Sequence, residues 1–431
     1  MERALRLVGP AVSLMGRLRF AQKFALIALV FLAALAFTGR AYLRSQDGQI
    51  AFSAKERVGV RVVAPAGTLL GRLAALRTTA VRAAGGDATA ADALPARADA
   101  VSQAAAAVDR AVRADGDALG VEERWQELRA AIDAAPRAGD TPAARSKAYG
   151  ALTDAAAALI VEAGNSSNLI LDPDLDSYYV MDDVITKVPG VLTGLAATSD
   201  LRVLVAADGA GAADRRIDLA VAQGALVAAL QAGSAGLQTA FGATADERLK
   251  AGLEGDDARV REAVGGVAER LEAVARGGDA GRDPGTDAAL AGATKLQEAL
   301  APALDRLLVA RLDRLRAEKR TVVVVALLAV LAALYLLAGF YLAVRRSVGR
   351  VRTALDSVGE HEVAGLEDGL RRVADGSLTR SLEATTPALV RGGRDELGDV
   401  EDAVEGIRAR TADSIASYEA MRAGTTALLR E

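Results

Sequence analysis

The sequence predicts an all-α membrane protein with two transmembrane helices, a helical bundle between them and a parallel coiled coil after the second span. Half of the 431 residues are hydrophobic but only 3% are aromatic, and much of the apolar fraction is Ala and Leu, which favour helix. Two long uncharged stretches bracket a long region of helix-period sequence, 45–320. A heptad-like apolar seam follows the second stretch.

Composition and charge exclude several classes of function. The chain has no cysteine, so disulfides, Cys-ligated zinc and thiol chemistry are excluded. The net charge of −4 is unevenly spread, since residues 1–44 carry 7 basic side chains against 1 acidic one. That basic start suits membrane lipid as a partner. No basic face with interleaved aromatic residues recurs, so we expect no nucleic-acid partner.

The first 43 residues predict a cytoplasmic N-terminal segment (1–20) and a first transmembrane helix (21–43). Phe24 to Gly39 is uncharged, and extending the span lets Arg40 reach the membrane surface with its charged end. A cleaved signal peptide is the alternative, because a basic segment precedes the apolar one. We favour a retained span, since the basic segment is long and the helical pattern continues past Arg44.

Residues 44–320 predict an extracytoplasmic helical-bundle sensor domain, standing in one tier or two. Apolar residues recur at spacings of three and four, as one buried stripe requires, at Val58, Val62, Leu69, Leu73 and Leu76. Glycine and proline predict about six helical pieces. The expected breaks lie at Gly85-Gly86, from Ala135 to Pro142, at Asp172-Pro173, near Gly209–Gly211 and from Gly277 to Pro284.

One polar segment of the bundle is a candidate ligand or cation site. The candidate sensor residues are Asn168, Asp172, Asp174, Asp176, Tyr178, Tyr179 and Asp182. The structural alternative is that Asp172 caps a helix whose first residue is Pro173. The alternating aspartates resemble a calcium loop, but Ser177 stands where that loop needs Gly and Asp183 where it needs Glu, so we expect no metal.

Residues 321–344 predict the second transmembrane helix. Val322 to Val344 carries no charge and as a helix is roughly 34 Å long, which exceeds the hydrocarbon core. Arginines precede the first span and follow the second, which indicates that both termini are cytoplasmic. Basic residues from Arg311 to Arg320 also flank the second span on its other side, so charge alone does not settle the orientation. We place the long acidic middle outside.

The region after the second span predicts a relay of paired helices. Asp395 and Glu396 suit a helix N-terminus, and the apolar seam continues from there. The first helix carries two seams, one from Val348 and one from Val363, and the second begins out of phase with the first. That offset predicts either a rotated seam or an inserted eleven-residue repeat. The relay residues are Val348, Val351, Leu355, Asp395, Glu396, Leu397, Gly398, Val400, Val404 and Ile407.

Two sets of residues carry a resemblance to bacterial methyl-accepting chemotaxis proteins and related transducers. Asn168–Asp182, with the Glu56–Val60 run, resembles their periplasmic region, and Asp375–Leu378 with Asp395–Gly398 resembles a HAMP domain (345–412) followed by the start of a signalling helix (413–431). Val351 departs from the family, which usually has proline there. The resemblance implies a homodimeric multi-pass receptor of the bacterial inner membrane, able to join higher arrays, with an unknown extracytoplasmic ligand and an unknown cytoplasmic output protein.

No catalytic, cofactor-binding or metal-binding residues are predicted, and we expect no enzyme. His361 lies between two glutamates, but no ATP-binding region follows, so a solvated helix face is favoured. We expect a chemoreceptor-like sensor that relays an extracytoplasmic stimulus through the coiled coil. A non-signalling membrane scaffold or adaptor is one alternative. The truncated sensor half of a diguanylate cyclase or histidine kinase is another.

Overall fold

The computed structural model describes residues 2–137, 139–207, 212–281 and 283–428. Every regular element in these ranges is helical, which confirms the predicted all-α class. The chain divides into two compact units. One, here called the bundle, is Tyr42–Arg320, and the other comprises residues 1–41 and 321–431.

Twelve α-helices are present in the described ranges, and short turns of other helical types join some of them. In chain order the helices are α1 (Glu2–Arg17), α2 (Phe20–Ala84), α3 (Ala88–Leu119), α4 (Glu122–Ala134), α5 (Pro142–Ser166), α6 (Leu175–Asp182), α7 (Val188–Ala207), α8 (Ala212–Ala243), α9 (Glu247–Ala275), α10 (Thr286–Ser357), α11 (Ala364–Ala374) and α12 (Glu396–Leu428). Short 3₁₀ turns lie at Ala135–Arg137 and Leu169–Leu171, and π-helical turns lie at Asp183–Lys187 and Val358–Val363.

The core of the bundle contains the apolar stripe predicted on α2. Val62 and Leu69 are fully buried, Leu73 is 1% exposed and Val58 is partly buried against the same core. Buried apolar side chains from every other helix of the bundle, α3 to α10, belong to the same core. Burial of this apolar area is the main force that holds the bundle together.

Glycines on α2 let neighbouring segments approach closely. A Cβ on Gly59 would lie 2.0 Å from Ser167 Oγ, at the end of α5, and one on Gly71 would lie 2.4 Å from Thr294 Oγ1 on α10. Neither contact is possible with any larger residue unless the backbone shifts. These two glycines therefore set how closely α2 packs on its neighbours.

The predicted helix breaks agree with the structure at most places. Gaps between helices occur at Gly85-Gly86, from Ala135 to Thr141 and from Arg276 to Gly285. In the described part of the bundle two breaks were not predicted: Gly120, whose φ of 65° ends α3, and the turn between α8 and α9. The break predicted near Gly209 lies outside the described residues. The break predicted at Asp172-Pro173 is longer than expected, because α6 begins only at Leu175.

Four helical stretches in the described residues are long and apolar enough to cross a membrane by length and composition. None of the most apolar window of Phe20–Ala84 or of Thr286–Ala374 is buried by other protein. The other two stretches, Leu175–Ala207 and Ala212–Ala243, lie within the bundle, with 61% and 22% of their windows buried.

A π-helical turn in the second unit explains why the two apolar seams that begin at Val348 and Val363 are out of phase. Val363 lies one position beyond the place where two heptads from Val348 would end. The chain is π-helical at Val358–Val363, where the Ala364 N–H bonds to the carbonyl of Gly359, five residues back. A π-helical turn accommodates one extra residue within an α-helix. The two seams therefore keep a heptad register on either side of this turn, and no eleven-residue repeat is needed to explain their offset.

Candidate functional site

The side chain of Arg311 on α10 lies at the centre of a buried polar cluster within the bundle. It is 4% exposed, and the leucines before and after it on this helix, Leu308 and Leu312, are buried as well. We call the group the Arg311 cluster, and its members are Arg311, Glu56, Asp172, Asp174 and Ser177.

The nitrogens of Arg311 each bond to a different carboxylate. Nη1 donates to Glu56 Oε2 at 3.0 Å, and Nε donates to Asp174 Oδ2 at 2.8 Å. Nη2 donates to Asp172 Oδ1 and to Ser177 Oγ. A planar guanidinium with five donors suits this arrangement, and a lysine ammonium could not reproduce it. One side chain thereby joins α2, α10 and the segment from Asp172 to Ser177.

Hydrogen bonds within the 172–177 segment hold its carboxylates in place. Asp172 Oδ1 accepts from the Asp174 N–H at 3.0 Å and from Ser177 Oγ at 2.9 Å. Asp172 is therefore not the N-cap of α6, and Pro173 is not its first residue. The residue before α6 is Asp174, whose side chain makes no cap bond and instead faces Arg311 and Arg314.

The cluster has more negative than positive charge. The carboxyl groups of Glu56 and Asp172 are fully buried, and one oxygen of each, Oε1 and Oδ2 respectively, has no hydrogen-bond partner among the described residues. Burial is the main cause that raises the pKa of Glu56 to about 7, and the nearby Asp172 charge adds to it. Burial also raises the pKa of Asp172, against the opposing effect of Arg311. The cluster thus takes up a proton near neutral pH.

Other ion pairs between α2 and α10 are more exposed. Arg57 and Asp305 form a two-bond pair of 2.6 and 3.1 Å, with side chains 35% and 34% exposed. Arg72 and Glu298 pair at 3.2 Å. Exposed pairs of this kind contribute at most about 1 kcal/mol each. The Arg311 cluster differs from them in its burial.

The structure separates the other candidate sensor residues from the Arg311 cluster. Asn168 has a positive φ of 68° and begins the 3₁₀ turn after α5. Tyr178 is exposed, and Tyr179 lies against Gly236 of α8. Asp176 bonds to the neighbouring Ser177 N–H, and Asp182 pairs with Lys187 at 3.1 Å. Of the seven residues, only Asp172 and Asp174 meet at one site.

Asp183 is a buried acid that the sequence did not single out. It is 1% exposed, and within the part of the chain that the structure describes neither carboxyl oxygen has a hydrogen-bond partner. Burial raises the pKa of Asp183 to about 9, with the charges of Asp182 and Asp257 as further causes. It lies at the first position of a π-helical turn, beside a cavity of about 20 Å³ shared with Ser234 and Asp257. That volume holds about one water molecule.

The predicted relay residues lie in the other unit, on α10 and α12. Asp395 precedes α12 and accepts from the Gly398 N–H at 3.1 Å, and α12 begins at Glu396. Val404 is 5% exposed, Gly398 is buried, and Leu397 and Val351 are half-buried. The remaining apolar relay residues are uncovered in the single chain: Val348 is 48% exposed, Leu355 42%, Val400 47% and Ile407 49%.

A buried carboxylate ties α12 to α10 in this unit. Glu401 is 1% exposed and accepts from Ser347 Oγ at 2.6 Å, from the Gly392 N–H at 2.6 Å and from Arg350. The Ser347 hydrogen bond is the largest cause that lowers the pKa of Glu401 to about 2. The sequence predicts no role for Glu401, and it predicts Arg311 only as one of the basic residues that flank the second span. The partners of Arg311 are far away along the chain, so they give no local signal for its role.

Comparison with known proteins found no matching family model, no matching curated protein and no matching solved structure. The resemblance to chemoreceptors and to HAMP domains therefore has no support beyond the residues that carry it.

Proposed function

We propose that the chain is a transmembrane signal transducer with two membrane spans, 21–43 and 321–344, and with both termini in the bacterial cytoplasm. The bundle senses an extracytoplasmic stimulus. The helices that continue into the spans relay it to a HAMP-like coiled coil formed by two copies of the chain. Two discrete packings of that coiled coil pass the signal to a cytoplasmic output.

The Arg311 cluster is the observation that carries this proposal. Glu56 belongs to α2 and Arg311 to α10, and these are the two helices whose apolar windows are left uncovered. The 172–177 segment contacts both through the same guanidinium. A stimulus that moves this segment acts on both helices at once. The Arg311 cluster is buried and contains three carboxylates but one arginine. Different pairings of these groups therefore differ in free energy, and such a difference can shift the balance between two conformations of the chain.

The relay residues support the second half of the proposal. Val400 and Ile407 on α12, and Val348 and Leu355 on α10, leave apolar side chains in water in a single chain. Their heptad-like spacing is the pattern by which helices of separate chains pack together. A second copy of the same chain presents the same seam, so a symmetric dimer covers both.

We propose that the two remaining apolar stretches, Leu175–Ala207 and Ala212–Ala243, belong to the bundle and do not cross the membrane. Leu175–Ala207 contains the ionisable residues Asp183, Asp200 and Arg202, all buried by neighbouring helices. Asp200 pairs with Arg77 of α2 at 2.7 Å. Charged side chains in a lipid-facing helix are costly, whereas here they are covered by protein. The other stretch is α8, whose Leu219, Leu226 and Leu237 are buried in the same core. We therefore propose two spans and not four.

A crosslinking experiment tests whether a change in the Arg311 cluster alters the packing of two copies of the chain in the proposed cytoplasmic coiled coil. The chain has no cysteine, so Ile407→Cys introduces a single thiol. We expect disulfide crosslinking between two copies in membranes, and a several-fold change in its rate when Arg311→Gln is added. Arg57→Gln is the matched control, since it removes an exposed ion pair between the same two helices.

Three outcomes are distinguished by this experiment. A rate altered by Arg311→Gln but not by Arg57→Gln supports the relay. Crosslinking whose rate is the same in all three chains favours a scaffold, which dimerises but carries no signal. A chain that stays monomeric in membranes, with no crosslink at Ile407 or at Val400, contradicts the proposal.

A further inference from the structure

A large cavity lies in the bundle, far along α2 from the Arg311 cluster. Its volume is about 790 Å³, and residues of α2, α3, α4 and α5 line it. Volumes of this order are typical of small-molecule sites. On α2 its lining runs from Leu76 to Ala84, about 30 Å from Glu56 at the rise of a helix. It shares no residue with the Arg311 cluster.

The floor of the cavity is apolar and its walls are made of small residues. Leu76, Val101 and Leu152 are buried and line the floor. Small side chains and one proline also line the cavity, at Ala80, Ala83, Ala84, Pro95 and Ala98. Leucine at several of these positions would close the space. Pro95 and Ala98 are exposed, so the cavity is open to a molecule from solvent.

Two arginines and their two acidic partners all line the polar side of the cavity. Arg145 is 19% exposed and pairs at 3.0 Å with Asp140, which is 99% exposed. Arg129 is 36% exposed and pairs at 3.4 Å with Asp133, which is 66% exposed. An anion that entered the cavity would have to take the place of Asp140 or Asp133 on an arginine, and this exchange has a modest cost because exposed ion pairs contribute little.

Tyr149 adds an aromatic ring to the cavity lining. Its side chain lines the cavity and is 4% exposed. Tyrosine combines a large apolar ring with a hydroxyl that can hydrogen-bond, and such residues are common where a ligand has one apolar and one polar end. A flat or branched apolar body would contact the floor and this ring, and a carboxylate would face Arg145 and Arg129.

We propose that this cavity binds a small organic acid that has an apolar, preferably aromatic, body and one carboxylate group. In the proposed transducer, on which this assignment of a sensory role rests, the acid is the stimulus. Next to Leu76, Arg77 bonds to Asp200 of α7 at 2.7 Å and to Thr153 of α5 at 2.9 Å. Occupancy beside this buried junction would act on α2, the helix that also holds Glu56.

The chain contains its own reporter for a binding experiment. Trp125 is the only tryptophan, lies on α4 one turn before Arg129, and donates to Asp109 Oδ1 at 2.8 Å. The full chain in lipid nanodiscs is titrated with naphthalene-2-carboxylate, and Trp125 fluorescence and thermal unfolding are followed. Naphthalene-2-methanol has the same body without charge. We expect saturable binding of one acid per chain, at least about tenfold tighter than the alcohol.

Matched variants separate the cavity from the protein surface and from the membrane. Arg145→Gln should weaken the acid about tenfold or more and leave the alcohol unchanged, whereas Arg137→Gln, an exposed arginine outside the cavity, should change neither. Ala98→Phe places a ring in the cavity from its open side and should abolish binding of both compounds. Ala96→Phe, two residues away and not lining the cavity, is its control.

Each result decides for or against the site. Equal affinity for acid and alcohol would contradict the anionic specificity. Binding that Ala98→Phe leaves intact would mean that the compound dissolves in lipid or binds elsewhere. Folded wild-type chain that shows neither a saturable Trp125 response nor a thermal shift with the acid would overturn the proposal. Because no signalling is measured, this experiment can fail while the crosslinking test succeeds, and the reverse.

Discussion

Replacing Arg311 by Gln should destabilise the bundle far more than any other single ion-pair change between α2 and α10. The substitution leaves the carboxyl groups of Glu56 and Asp172, both fully buried, without their cation. Breaking a buried pair by removing one partner costs about 3–5 kcal/mol, because the remaining charge is uncompensated. Arg57→Gln, at a pair about one-third exposed, should cost no more than about 1 kcal/mol.

The pH dependence of this penalty follows from the raised pKa values in the cluster. The pKa of Glu56 in the folded chain, about 7, lies above its ordinary value of 4.5. The stability that its protonation contributes is therefore fully present below about pH 4.5 and is lost as the pH rises through about 7. Once Arg311 is absent, protonation neutralises the orphaned acids at low pH. The penalty of Arg311→Gln should thus be larger near pH 8 than near pH 5.5, at up to about 1.4 kcal/mol per pH unit for each group.

Urea unfolding of the full chain in detergent, followed by Trp125 fluorescence, measures this penalty. Trp125 is in the bundle and 4% exposed, so its emission reports the unfolding of that unit. Unfolding free energies of the wild type and the two variants are compared at both pH values. The reasoning would be refuted if Arg311→Gln cost no more than Arg57→Gln, or if its penalty did not shrink on acidification.

Three further predictions concern single residues. Asp183→Asn should raise the unfolding free energy near pH 8 and flatten its decline between about pH 4 and 9, because burial raises the pKa of Asp183 to about 9. Urea unfolding across that pH range measures both effects, and an unchanged pH profile would contradict the expectation. Gly59→Ala should lower the melting temperature, since the added Cβ would lie 2.0 Å from Ser167 Oγ. Gly48 also lies in α2 and a Cβ there would meet nothing within 4 Å, so Gly48→Ala should raise the melting temperature slightly. Circular dichroism on heating would show whether the two shifts have opposite signs. Glu401→Gln should speed amide hydrogen exchange in the first turns of α12 several-fold, because the charged acceptor of three hydrogen bonds is lost. Unchanged exchange would mean that α12 is held by its apolar contacts alone.

The sequence predicts the fold class and most helix ends because both depend on local properties. Helix propensity and the three-and-four spacing on α2 predict a buried stripe, and Val62 and Leu69 are fully buried. Glycine pairs predict breaks because a positive φ is needed there, as at Gly86. Gly120 was missed because a single glycine within helical sequence reads equally well as an interior residue or as an end.

The candidate site was only partly predictable because its central residue is distant in sequence. Asp172 and Asp174 stood out as a dense run of carboxylates, and both contact Arg311. Arg311 itself is one of several basic residues before the second apolar stretch, and only tertiary packing distinguishes it from Arg314, whose side chain is 58% exposed. Asp183 was read only as a poor calcium ligand, since burial by α8 and α9 cannot be inferred from its neighbours in sequence.

Labelling of single cysteines in intact cells tests the two-span arrangement most directly. A membrane-impermeant maleimide is applied to cells that carry Asp154→Cys, Ala213→Cys or Asp413→Cys, all exposed positions in a chain that has no other cysteine. We predict that the thiols at 154 and 213 react in intact cells and that the thiol at 413 reacts only after permeabilisation. Ala213 lies in the first turn of α8, at the start of the second apolar stretch assigned to the bundle, so protection at 213 would indicate four spans. Reaction at 413 in intact cells would place α12 outside the cytoplasm and contradict the proposed arrangement.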